Sequence, residues 1–473
     1  MGRLEIVLAL LGSLLATLLV ALLVGAFAEE QEQEFLPGQP RERVRGSGGS
    51  VEVWNEDFKQ LQEAHVAAAL ITVESQFLEL PLYANSPQAY YVLKGEAMAG
   101  LISPMGAPTN LRRLREGDAF AIPRGWARWI WNDGQQPFQV LSVADTFDSK
   151  GAPSAAGRYT AFHLMGAQKE EFGSILHGFS PDLLAQAWDV EEGEVQQLLQ
   201  AQQESVFVKV TPQLRAELEN YRENEEENEN ENGNGNENGN GNEEEEEEAE
   251  EAEENEREEE EAYGGNDQPH FGKGAKPGVS IFADFSYNLK ARQPDIYVKR
   301  GGTVTAANGY KLPAFRKVGF AVARFSLEGN AMTAPTWLAN AAAMVYVTKG
   351  KGRVEMVYPD GRQALRHDVK EGDFVVMPAG FPHSALAYGE GLECIAMIPK
   401  SRFQQGFLAG ANSVFRTLPA SVQRAAFNAD EKLLEKLCAT RQSEFGILPP
   451  RKSEGEEEEQ EEMPVLIEQV VGF

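Results

Sequence analysis

The residues whose types and spacing could do chemistry gather in two stretches. One is Glu371 to His383 (EGDFVVMPAGFPH), and the other is Glu116 to Arg128 (EGDAFAIPRGWAR), the same pattern displaced by 255 residues. His383 closes one stretch and Arg128 the other. An imidazole can be a ligand for a divalent transition metal, but a metal of that kind needs three or four converging nitrogen, sulfur or carboxylate donors. His383 supplies one, so neither a specific metal site nor any other cofactor is expected, and His383 stands as a candidate ligand only. Arg128 lies near Trp126, Trp129 and Trp131. A guanidinium stacks on indole, so Arg128 and Trp126 are candidates for a cationic aromatic pocket. Packing in a core is the commoner use of such tryptophans. The chain contains no Gly-x-Ser-x-Gly elbow, His-Glu-x-x-His pair, Cys-x-x-Cys or phosphate-cradling Gly-x-x-x-x-Gly-Lys-Ser/Thr loop. No catalytic residue is expected.

The elements that must position these residues follow from the repeat. In both copies a Gly-Asp turn feeds a short apolar run that Pro-x-Gly then stops, the pattern of a β-strand ending in a tight turn. The same displacement carries Tyr91, Val92 and Gly95 onto Tyr346, Val347 and Gly350. Two strands in constant register predict a duplicated, mainly β domain. Short apolar runs at 67–73, 89–93, 97–102, 119–122 and 138–143, punctuated by Gly, Pro and Asn, suit an antiparallel sandwich or barrel. A second repeat, displaced by 239, lays Ile175–Leu198 over Val414–Leu437. Leu183, Leu184, Trp188 and Leu198 in one copy, with Val422, Phe427, Leu434 and Leu437 in the other, form apolar stripes at helical spacing. Asp189-x-x-Glu192 and Asn428-x-x-Glu431 read as the start of a second helix in each copy. Each unit is therefore expected to be a β-domain followed by a helical hairpin.

Gly372-(x5)-Pro378-x-Gly380-x-x-His383 resembles the second motif of the cupin family, whose fold is a jelly-roll barrel. The first metal-binding motif of that family does not survive. Its glutamate position, seven before the glycine, is Gln88 in the first copy and Ala343 in the second, and its histidine positions fall in 82–84 and 336–339, where none is a ligand. Within cupins the chain is similar to the two-barrel seed storage globulins, nearer the legumin than the vicilin type. The similarity lies at LELPLYANSPQ (78–88), LRRLREGD (111–118), WNDGQQP (131–137), VTAANGYKLP (304–313) and NAMTAP (330–335). The chain departs from legumins in having no cysteine in its first half and no Asn-Gly bond just before the second barrel. The resemblance implies two cupin barrels and a nutrient reservoir without catalytic activity. It also implies a homotrimer, or a hexamer of stacked trimers, assembled through the helical stripes. Alternatives are a metal-dependent two-barrel cupin of the oxidase or decarboxylase type using His383, and a defence globulin binding a sugar or small ligand at Arg128 and Trp126.

Composition fits the same reading. The formal charge of -30 on 473 residues is concentrated in two tracts. Residues 222–262 hold 22 Glu against 2 Arg, and 454–462 hold 7 Glu with no base, which leaves the remainder nearly neutral. Such tracts are too polar to bury a core. Without clustered Lys and Arg there is no footprint for nucleic acid. The first 28 residues, with Arg3, an apolar run and Ala26-Phe-Ala28, read as a cleaved secretory signal, after which no membrane partner is expected. Expected beyond it are a flexible leader at 29–50, a first barrel with hairpin at 51–215, an acidic Glu/Asn/Gly-rich linker at 216–277, a second barrel with hairpin at 278–449 and an acidic tail at 450–473. The expected destination is a protein storage vacuole or the extracellular space, with a vacuolar sorting receptor and storage-mobilising proteases as further partners. Cys394 and Cys438 are too few for a disulfide framework.

Overall fold

The computed structural model describes residues 35–54, 58–104, 110–146, 159–167, 173–204, 206–220 and 286–451. The expected signal segment, nearly all of the acidic linker and all but two residues of the tail lie outside them. Thr211–Ala283 forms a unit of its own. Its described part is a helix over 212–220, in which Arg215 pairs with Glu219 one turn on at 2.8 Å.

The rest of the described chain builds two antiparallel β-barrels, each followed by a helical hairpin, as the repeats predict. The first is made of two sheets. One runs in the order Arg41–Gly46, Gly49–Trp54, Val66–Val73, Phe138–Asp145, Gln88–Lys94, Asp118–Ile122, Ser286–Asn288, and the other in the order Ala161–His163, Phe77–Ala84, Ala127–Trp131, Glu96–Ile102, Asn110–Arg115. The strand Phe207–Lys209 also pairs with Phe77–Ala84, closing the unit after its hairpin. In the second barrel the two sheets merge, because Ala343–Val357 and His383–Ile398 run through both and pair along most of their length. Their corner is at Gly350, with φ +82°, where a Cβ would lie 2.2 Å from the Gly391 carbonyl oxygen. Gly95 has φ +79° at the matching corner of the first barrel. Only glycine holds both corners without strain.

The two Gly-Asp turns are built alike. The Asp118 carboxylate accepts from the Arg115 N–H at 2.7 Å, and that of Asp373 from the Lys370 N–H at 2.8 Å. The second oxygen of each carboxylate receives a side-chain amide from a distant segment. Asn288 donates to Asp118 at 2.8 Å, and Gln39 donates to Asp373 at 2.6 Å. The backbones repeat the exchange, with Ser286–Asn288 paired to Asp118–Phe120 and Gly38 paired to Phe374 in both directions at 2.9 and 3.2 Å. A segment of the second half thus covers the edge of the first barrel, and the segment preceding the first barrel covers the edge of the second.

This overturns the expected flexible leader from residue 35 onward. Phe35 is buried in the second barrel's core, within 5.8 Å of the Tyr358 ring and 5.6 Å of the Phe381 ring between centroids. Arg41–Gly46 and Gly49–Trp54 form a hairpin at the end of the first barrel's sheet. Trp54 stacks on Phe374 at 4.4 Å and donates its indole N–H to the Gly38 carbonyl at 3.0 Å. Composition concealed this, because exposed arginines and glutamates on an edge strand look like a solvated tract. The charged strand Asn110–Arg115 and the Pro81-bearing strand Phe77–Ala84 escaped notice for similar reasons.

The hairpins also correct a detail. Asp189 and Asn428 do not start the second helices; each ends the first one in the left-handed conformation, with φ 55° and 49°. The second helices are capped two residues later, by a Glu191–Glu194 capping box and by Asp430, whose side chain accepts from the Leu433 N–H at 2.9 Å.

Removing a fully buried aromatic ring costs about 3–5 kcal/mol. Trp54→Ala and Phe35→Ala are therefore expected to lower the stability of the two-barrel unit by that order, read as a lower urea midpoint. A midpoint displaced by less than the equivalent of about 1 kcal/mol in both variants would show that the leader is not part of the core.

Candidate functional site

The interiors of the two barrels are the places where a ligand could be held, and the repeat sets their positions side by side. Displacement by 255 pairs Gln88 with Ala343, Tyr90 with Val345, Phe120 with Val375 and Arg128 with His383. Strand pairing completes the set. Leu82 lies opposite Arg128 and Thr336 opposite His383, so Glu79 corresponds to Thr333.

In the first barrel these positions carry a closed polar network. Arg128, 3% exposed, forms an ion pair through Nη1 with Glu79, 2% exposed. Its Nε donates to the Tyr90 hydroxyl at 3.0 Å, Tyr90 donates to Gln88 Oε1 at 2.6 Å, and Gln88 Nε2 donates to the Tyr159 hydroxyl at 2.9 Å. Burial works against the guanidinium charge, but the Glu79 carboxylate more than offsets it and holds the pKa above the usual arginine value. Burial likewise raises the Tyr90 phenol, which stays protonated and available as a donor. Tyr90 and Phe120 stack face to face at 4.7 Å within the same interior. The expected pocket of Arg128 and Trp126 does not form. The ring over which Arg128 lies is Tyr90, 5.4 Å from its centroid. Trp126 sits half-buried in the turn before the strand, and Trp129 lies against Gly100, where a Cβ would meet its ring at 2.2 Å. Inward and outward positions alternate along Ala127–Trp131, which separates Arg128 from Trp129.

At the matching positions the second barrel has one ring, the His383 imidazole, and no carboxylate or guanidinium, and it holds a partly open cavity of about 120 Å³. Its wall includes Val345, Val375, Ala343, Met377 and Cys394, with Thr333, Thr336, His383, Ser384 and Gln405 as the polar members. His383 Nδ1 lies 2.9 Å from the Phe381 carbonyl oxygen. A carbonyl can only accept, so Nδ1 carries the proton. Burial lowers the imidazole pKa, with the Phe381 hydrogen bond acting in the opposite direction. The ring is thus neutral, with Nε2 as an acceptor. Burial also pushes the Cys394 thiol up to about 12, which makes it a poor nucleophile and a poor metal ligand.

A cupin metal does not fit here. The positions that the family's other ligands would take are filled by Thr336, Trp337, Leu338 and Ala339 and by Ala343, none of which is an imidazole or carboxylate. Among the described residues no three His, Cys, Asp or Glu side chains converge.

The sequence profile of the cupin family matches residues 36–196 and 287–434, both barrels with most of their hairpins. The chain belongs to the cupin family. Among its relatives is the 11S globulin seed storage protein Ana o 2.0101 of Anacardium occidentale, 28% identical over 434 residues that cover 84% of this chain and 88% of the relative. Glycinin G2 of Glycine max is 26% identical, covering 90% and 94% respectively. Of the solved structures, pumpkin seed globulin superposes with a TM-score of 0.71 at 23% identity, covering 89% of this cupin and 99% of that chain. The legumin-like resemblance read from the motifs is therefore met in both sequence and fold.

The hairpin residues divide into two groups. Leu183, Trp188, Leu198, Val422, Phe427 and Leu437 are 42–56% exposed. Leu184 and Leu434 are instead buried at 6% and 7%, and Leu184 packs with Ala185 and Val195 inside its own hairpin. Leu184 holds its own hairpin together, and neither it nor Leu434 presents a side chain to a second copy. Helical spacing identifies one apolar stripe, but it does not say which edge of the stripe faces inward.

Breaking a buried ion pair by removing one partner costs about 3–5 kcal/mol, whereas replacing both charges with apolar groups is often neutral. Arg128→Met is expected to destabilise this cupin by that amount, and Glu79→Leu added to it is expected to restore most of the loss. A double variant no more stable than Arg128→Met, by urea unfolding, would mean that the network depends on the pair for its geometry.

Proposed function

We propose that this cupin is a seed or spore storage globulin, a nitrogen reservoir without catalytic activity. The observation that carries the reading is its homology to seed storage globulins across both barrels. Two features support it. A buried Arg128–Glu79 ion pair occupies the interior of the first barrel, and in the second no three His, Cys, Asp or Glu side chains converge among the described residues. The tracts of Glu, Asn and Gly between the barrels carry nitrogen and offer proteases a start. The N-terminal apolar run ending in Ala26-Phe-Ala28 directs the chain into the secretory pathway, is cleaved there, and leaves a protein delivered to a storage vacuole by a sorting receptor. Storage predicts accumulation in the maturing tissue and loss on germination. An immunoblot that finds the same amount before and after germination would overturn it.

Self-assembly is the second part of the reading. The exposed stripes on the two hairpins differ in sequence, so hairpin one of one copy meeting hairpin two of the next is a head-to-tail contact. Such contacts form a ring when the rotation from copy to copy closes, and the trimer that the legumin resemblance implies is a ring of that kind. Leu183→Asp with Leu198→Asp, or Val422→Asp with Leu437→Asp, should each reduce the assembly to monomers on a sizing column. An unchanged trimer in both would remove the hairpins from the interface.

A further inference from the structure

The two barrels diverged in opposite directions from one plan, and the second retains an interior with room in it. The volume arises at identifiable positions. Tyr90 and Phe120 place a stacked pair of rings inside the first barrel, and their counterparts Val345 and Val375 both line the cavity of the second. Two rings of the first interior are thus replaced by two smaller side chains in the second. An apolar cavity of about 150 Å³ stays dry and admits benzene, so the space of about 120 Å³ here is on the scale of a single ring.

The polar edge of the cavity is equally restrictive. The Thr336 hydroxyl donates to the Gly406 carbonyl at 2.7 Å, and that of Ser384 to the Thr333 carbonyl at 2.8 Å. The Gln405 amide donates to Thr336 at 2.9 Å. The Thr336 and Ser384 hydroxyl protons are thus committed within the protein, Gln405 keeps a second amide proton, and the Thr333 hydroxyl accepts from the Ala385 N–H at 2.9 Å. His383 Nε2 has no hydrogen-bond partner among the described residues, since the ring's one bond uses Nδ1. No Lys or Arg lines the space, so an anion would find no counter-charge.

We propose that the interior of the second barrel is a binding site for a neutral, single-ring molecule with one hydrogen-bond donor, of which phenol is the simplest case. The ring takes the space left by the absent aromatic pair, and its hydroxyl donates to His383 Nε2. This site is independent of the storage reading, since a reservoir protein needs no ligand.

The test is calorimetric titration of the full chain with phenol, toluene and benzoate. Toluene has nearly the same shape with a methyl in place of the hydroxyl, and benzoate carries a charge. Phenol is expected to bind once per chain, toluene at least tenfold more weakly because Nε2 is left unpaired, and benzoate not at all. His383→Leu should equalise phenol and toluene. Val375→Phe restores the ring found in the first barrel and should abolish phenol binding while the sizing profile stays unchanged. Absence of saturable phenol binding, equal affinity for phenol and toluene in the unmodified protein, or phenol binding that survives a folded Val375→Phe would each overturn the proposal. Should Val375→Phe fail to fold, the His383 ring resonances of the unmodified protein, assigned by their loss in His383→Gln, decide the matter. A shift with phenol supports the site, and no shift at saturating phenol overturns it.

Discussion

Every open β-sheet leaves a row of unpaired backbone groups along its edge, and a chain that builds two barrels must cover two such edges. Here the edges lie at the strands that follow the Gly-Asp turns, and both are covered from far away in sequence. Asn288 reaches Asp118 across 170 residues, and Gln39 reaches Asp373 across 334. The carboxylates serve two purposes at once. One oxygen closes the turn and the other fixes the incoming segment, so the geometry of the turn and the docking of the cover are set by a single side chain. The stacking of Trp54 on Phe374 and the burial of Phe35 follow from the course the leader must take to reach that edge.

Much of this architecture was legible in the sequence because it occurs twice. A displacement held constant from Tyr91 to Arg128 can only mean strands in a conserved register, and short apolar runs mark strands that are buried along most of their length. What was not legible was long-range. Nothing local distinguishes Gln39 from the polar residues around it, and the cover it provides depends on a turn more than three hundred residues away. Helix periodicity fared better at naming the stripe than at orienting it, since Leu183 and Leu184 are adjacent in sequence and differ from 50% to 6% in exposure. The cap positions were missed by two residues because Asp and Asn suit the left-handed end of one helix as well as the start of the next.

The candidate site was half legible. The loss of the metal-binding motif could be read directly from Gln88 and Ala343. The fate of Arg128 could not, because its partner Glu79 sits on a strand interrupted by Pro81, and a bulge shifts the pairing between them. A lone arginine near three tryptophans suggests stacking; only the fold shows that the strand's alternation turns Trp129 and Trp131 away from it and that Trp126 stays in the turn before the strand. The contrast between the barrels is one of substitution rather than of shape. One interior holds an internal ion pair, the other holds space.

The reciprocal covers bear on what happens to the chain after a cut. The segment Ser286–Lys290 is held to the first barrel by backbone pairing, by Asn288 on Asp118 and by Lys290 on Glu116, while the leader is held to the second barrel through Phe35, Gly38 and Gln39. A scission anywhere between the two halves therefore leaves each fragment gripping the other with its own first residues. The nicked molecule is a complementing pair of fragments, fastened without a disulfide, in the manner of clasped hands rather than of a hinge.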